Sequence, residues 1–139
     1  MIIAPHPDDE LWLLNVLKKG VDEVIYVTET DGGRDLEAIR LAQHLRFRPV
    51  FCHGLEGLST YLSNLDNTPD TVIYIPEDIP GDHPMHRLVA RTIDPYQLVR
   101  KYTIYRYRID INNITGGMKK YIKDFYPSQR WLLDEEERI

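Results

Sequence analysis

The chain has 139 residues, 42% hydrophobic and 28% charged, the balance of one globular domain able to bury about two-thirds of its unfolded surface. A net charge of −5 argues against a nucleic-acid or anionic-membrane partner, which wants a basic patch. A single cysteine, Cys52, excludes an internal disulfide framework and fits a reducing compartment. A strand beginning straight after Met1 leaves no room for a signal peptide, and no apolar run could span a bilayer, so the expected location is the cytoplasm.

Ile2-Ile3-Ala4 predicts a short buried strand. A Pro5-His6-Pro7 turn and three carboxylates, Asp8-Asp9-Glu10, lead into a helix expected over Asp9 to Lys19 and stopped by Gly20. Val24 to Thr28 is β-branched without polar alternation, the pattern of a strand covered on both faces. The loop Thr30-Asp31-Gly32-Gly33 opens a helix from Arg34 to Leu45, with Leu36, Ile39, Leu41, Ala42 and Leu45 as its apolar stripe. Pro49 to Cys52 is a third strand, followed by a helix around Leu58 to Leu65. Asp70 to Ile75 is a fourth strand, closed by Pro76. The loop from Glu77 to Gly81 reaches Asp82-His83-Pro84-Met85-His86 and a helix to about Ile93. Tyr102 to Ile109 is a fifth strand whose alternation of Arg106 and Arg108 with tyrosines places it toward a sheet edge with one solvated face. A Gly116-Gly117 break precedes a helix through Lys123, and an acidic helical tail starts at Trp131.

Strands alternating with helices predict a three-layer α/β fold of Rossmann type, with a mostly parallel sheet in the order 3-2-1-4-5 over residues 1–139 as one domain. In that order strands one and four are neighbours whose chains leave in opposite directions, opening a crevice at their carboxyl ends. His6, Asp8 and Asp9 follow strand one, and His83 and His86 follow strand four, so the fold brings both clusters to one place. Two histidines and a carboxylate with an open fourth position form the pattern of catalytic zinc, which lowers the pKa of its water to about 7. Iron(II) can use the same ligands. Spacing does not decide between His83 and His86, since both face one way. His44, Cys52 and His53 read as surface, core packing and loop.

Pro5-His6-Pro7-Asp8-Asp9-Glu10 resembles the signature of the PIG-L/LmbE-like zinc-dependent N-deacetylases. Thr30-Asp31-Gly32, Arg34-Asp35-Leu36-Glu37, Pro69-Asp70 before strand four, and His83-Pro84-Met85-His86 are similar to further motifs of that family, in its order. Lys119 or Lys120 with Ser128-Gln129 resembles a weaker C-terminal pattern. The resemblance implies that His6, Asp9 and His86 bind zinc, that Asp8 is the general base, and that His83 stabilises the oxyanion. It implies a small N-acetylated sugar such as an N-acetylglucosamine conjugate as substrate, with Arg34 contacting it; the charge balance leads us to expect neither a nucleic acid nor a membrane as partner. The alternatives are an amidase for another small N-acyl compound, or a binding module of the same fold with weakened turnover. The chain is shorter than is usual in that family, so its site is expected to be open or completed by a second copy in a homo-oligomer. The family has an acidic residue where this chain has Met85. Asp82 is therefore expected in the shell around the ligands, holding His83 as a protonated acid.

Overall fold

The computed structural model describes residues 1–28, 33–65, 72–100 and 102–138. Five parallel strands form one sheet: β1 (Ile2–Ala4), β2 (Glu23–Tyr26), β3 (Arg48–Phe51), β4 (Val72–Pro76) and β5 (Thr103–Tyr107). Their order is β3-β2-β1-β4-β5, as the alternation of elements predicts. β1 meets β2 in the register Ile2↔Val24 to Ala4↔Tyr26 and touches β4 through Ile2↔Tyr74. Successive side chains along a strand point to opposite faces, and this divides the core in two. Ile2, Ala4, Val24 and Tyr26 face one side, under α1 (Leu14–Lys19), α2 (Gly33–Leu45) and α5 (Gly116–Phe125). Ile3, Ile25, Ile73 and Ile75 face the other, under α3 (Leu55–Ser63) and α4 (Pro84–Arg100). Both sets are buried, which explains why these strands carry no polar alternation.

Several elements depart from expectation. The first helix divides: Asp9–Leu13 is a 3-10 turn, and α1 begins only at Leu14. Asp8 has a left-handed backbone, φ 107°, so the chain enters the turn too tightly for α geometry, with Leu11 N–H bonded to Asp8 C=O at 3.0 Å. In α2, Leu36 is 65% exposed while Glu37 is buried, because the Glu37 carboxylate accepts the Ser128 N–H at 3.1 Å. α4 continues to Arg100 through Pro95, where a stop near Ile93 was expected. An internal proline removes one backbone hydrogen bond and crowds the carbonyl four residues earlier, at a cost of about 3 kcal/mol. β5 is shorter than Tyr102 to Ile109 but does lie at the edge. Gly116 and Gly117 belong to the first turn of α5, capped by Thr115 Oγ1, which accepts Met118 N–H at 3.3 Å. The tail forms 3-10 turns over Pro127–Leu132 and Glu135–Arg138. Thr30-Asp31-Gly32 and Pro69-Asp70 lie outside the described residues. Among the described residues no helix is long and apolar enough to cross a membrane.

Candidate metal centre

β1 runs directly into the Pro5-His6-Pro7-Asp8-Asp9 turn. Its anchor is the end of β2, where Val27 and Thr28 N–H bond to Ala4 and Pro5 C=O at 3.0 and 2.9 Å, and Thr28 Oγ1 also bonds to Pro5 C=O. Asp9 then folds back on His6: one carboxylate oxygen, Oδ2, accepts the His6 backbone N–H at 2.8 Å and stands 3.2 Å from His6 Nδ1. The same oxygen lies 3.3 Å from His86 Nε2. Burial alone would raise the Asp9 pKa; hydrogen bonds from His6 and His86 outweigh it and bring it down to about 2. Asp9 is therefore an anion at neutral pH.

His86 arrives from β4, across the switch point between β1 and β4. Its Nδ1 faces the carboxylate of Asp82, one turn earlier, at 3.4 Å. Burial lowers the His86 pKa, but Asp9 and Asp82 overcome this and raise it. The ring of His83 packs 5.0 Å from those of both His6 and His86. His83 differs from expectation in its partners. Asp82 accepts its backbone N–H at 2.7 Å, while its ring Nδ1 accepts Met85 N–H at 3.1 Å. With Nδ1 acting as acceptor, the ring proton sits on Nε2. Burial, with the neighbouring His6 and His86, lowers the His83 pKa. His83 is thus a neutral donor, and the carboxylate meant for it serves His86. Met85, in place of the acidic residue, packs its side chain on the core beneath α4.

His6, Asp9 and His86 each offer one donor atom, and these lie within 4.8 Å of one another. Donors about 2.0–2.1 Å from a tetrahedral ion sit roughly 3.3 Å apart. The Asp9 oxygen stands 3.2 and 3.3 Å from its two nitrogen neighbours, near that spacing, so the three residues could hold a metal ion such as zinc. A cavity of about 650 Å³ opens over the cluster, within the usual range of small-molecule sites, roughly 300–1,000 Å³. Known proteins add nothing: the chain matches no family model, no curated protein and no solved structure.

Asp8 lines the same cavity without joining the three donors. Its Oδ1 accepts from Arg34 Nη2 at 2.9 Å, and the same nitrogen bonds to Pro7 C=O at 2.7 Å. Burial and the charge of Asp9 push the Asp8 pKa well up, against the pull of Arg34. Arg34, expected to contact substrate, also borders the cavity, but its guanidinium clamps the Asp8 turn.

Motif spacing gave no role to Glu10. It is wholly buried; one oxygen accepts Asp8 N–H at 2.8 Å, and the other accepts the hydroxyls of Tyr26 at 2.8 Å and of Tyr126. Burial raises its pKa to about 7. Tyr126 lies 116 residues away, so no local pattern connects the two. Gln129, from the weak C-terminal pattern, lines the cavity, as do Trp12 and Trp131. His44 and His53 are exposed and Cys52 is half-buried against the second core, as expected.

Proposed function

We propose that the protein is a metal-dependent amide hydrolase of the PIG-L/LmbE-like kind that removes the acetyl group from a small N-acetylated sugar. One observation carries this reading: two imidazoles and a carboxylate with metal-ligand spacing converge at the sheet's switch point, with a separate buried carboxylate, Asp8, beside them. His6, Asp9 and His86 would hold zinc, with iron(II) as the other metal compatible with the set. A bound ion of this kind supplies a Lewis acid and lowers the pKa of its water to about 7.

The chain's own residues supply the rest. Asp8 is the general base: water oxygen bonds to the acyl carbon while its proton passes to the Asp8 carboxylate. Burial and the charge of Asp9 raise the Asp8 pKa, the direction that makes its carboxylate a stronger base. Arg34 keeps Asp8 aimed into the cavity. His83 offers its Nε2 proton as a hydrogen bond to the oxyanion. When the C–N bond breaks, the proton held by Asp8 passes to the departing nitrogen, giving acetic acid and the amine, which leave at neutral pH as acetate and ammonium. The test is metal analysis of the purified protein, followed by amine release from a panel of N-acetylated sugars. About one equivalent of metal with amine release from a panel member is expected. Metal bound without turnover on any N-acyl compound would replace this reading with the binding-module alternative.

A further inference from the structure

We infer that the cavity has a second station: Trp131 is a stacking platform for a second ring that the substrate carries beyond the N-acetylated sugar. The inference rests on the reading of the His6–Asp9–His86 cluster as the place where the amide is cut. Trp131 is 59% exposed on the cavity wall, which it shares with the cluster. A lone exposed aromatic is ordinary on a protein surface and needs no explanation. This one is fixed in orientation. Its indole Nε1–H donates to Gln129 Oε1 at 3.0 Å, and Gln129 is 7% exposed. Gln129 Nε2 donates to Ser128 Oγ at 3.2 Å, and Ser128 N–H donates to the buried carboxylate of Glu37 on α2 at 3.1 Å. A chain of hydrogen bonds thus runs from the helix layer to the indole.

Holding a large apolar ring more than half exposed at a cavity wall brings the fold less burial energy than a core position would. It does lower the cost of binding, because a side chain already ordered loses little freedom on contact. The 3-10 turn that carries Trp131 leads on to Leu132, while Ile111, 56% exposed, lines the wall as well. These apolar surfaces favour a ring with a hydrophobic face, such as the C–H face of a pyranose or an aryl group. Both sources share that chemistry.

The experiment uses the Trp12→Phe protein, in which Trp131 is the one remaining tryptophan of the two. Its fluorescence is titrated with N-acetylglucosamine, with the β-linked disaccharide of N-acetylglucosamine, and with phenyl N-acetyl-β-glucosaminide. Amine release from the same three is measured for the wild type, Trp131→Ala and Trp131→Phe. Two-ring probes should shift or quench Trp131 emission at about tenfold lower concentration than the single ring. Trp131→Ala should lose most of that preference in kcat/KM, and Trp131→Phe should recover part of it. Whichever two-ring probe responds more identifies the ring as saccharide or aryl. A response to two-ring probes with no amine release supports the platform and overturns the hydrolase. Amine release with no emission change, and the same ring preference in Trp131→Ala as in the wild type, overturns the platform and leaves the hydrolase standing.

Discussion

Asp8 has a backbone that a residue with a Cβ adopts reluctantly; a left-handed non-glycine costs on the order of 1–3 kcal/mol. Three contacts hold it there: Glu10 on its N–H, Arg34 on its carboxylate, and Leu11 N–H on its carbonyl. Strain maintained so thoroughly keeps its carboxylate on the cavity side, while Asp9, the next residue, turns to His6. The two aspartates should therefore separate by substitution. Asp8→Asn keeps the size and the Arg34 contact but cannot take a proton, so it should retain metal and lose about 100-fold or more in turnover. Asp82→Asn should do the reverse. Its carboxylate faces the far nitrogen of His86, and loss of such a partner weakens metal binding by roughly 10–100-fold. Competition with a chromogenic zinc chelator measures the affinity, and initial rates at saturating zinc measure the turnover. An Asp82→Asn protein with unchanged affinity would remove Asp82 from the metal's surroundings.

The central strands were legible because burial on both faces leaves apolar runs without polar alternation, as at Val24 to Val27. The site turn was legible because its residues are contiguous. Helix ends were less so: the tight entry at Asp8 made a 3-10 turn of Asp9–Leu13, and hydrophobicity alone put Leu36 in the stripe that Glu37 occupies. The same limit shows where β3 leaves the sheet. His53 takes φ 58° and α3 packs close on the strand end, so close that a Cβ on Gly57 would lie 1.8 Å from the Cys52 carbonyl oxygen. This packing half-buries the Cys52 thiol, and burial pushes its pKa up from 9.0 to about 11. The thiolate is the reactive form, and the upward shift makes it scarcer at any pH below 11. Alkylation by iodoacetamide at pH 8 should be about 100-fold slower than for an unperturbed thiol and should rise tenfold per pH unit up to pH 10. A plateau near pH 9 would mean that the β3–α3 junction opens in solution.

At the scale of the molecule, the site ties together the two cores on either face of the sheet. His6 and Asp9 belong to the turn at the end of β1, and Glu10 ties that turn to Tyr126 and the first core. His86 belongs to α4, which closes the second core. The crossing of the two histidine motifs was visible in the sequence because strand order alone dictates it. The network of Glu10, Tyr26 and Tyr126 was not, because it needs Tyr126, brought in from the end of α5, to meet Tyr26 of β2 at one carboxylate. An ion held by His6, Asp9 and His86 binds the folded arrangement and not the unfolded chain, where 77 residues separate Asp9 from His86. Binding must then stabilise the fold by RT ln(1 + [L]/Kd), about 2.7 kcal/mol at a hundredfold excess over Kd. For a chain of this length that raises Tm by roughly 8 °C. Scanning calorimetry in a zinc buffer should show this rise for the wild type and for Asp8→Asn, and should lose most of it in His86→Ala. The same rise in His86→Ala would place the ion elsewhere, whereas no rise in any of them would leave the three donors as a polar cluster without a metal.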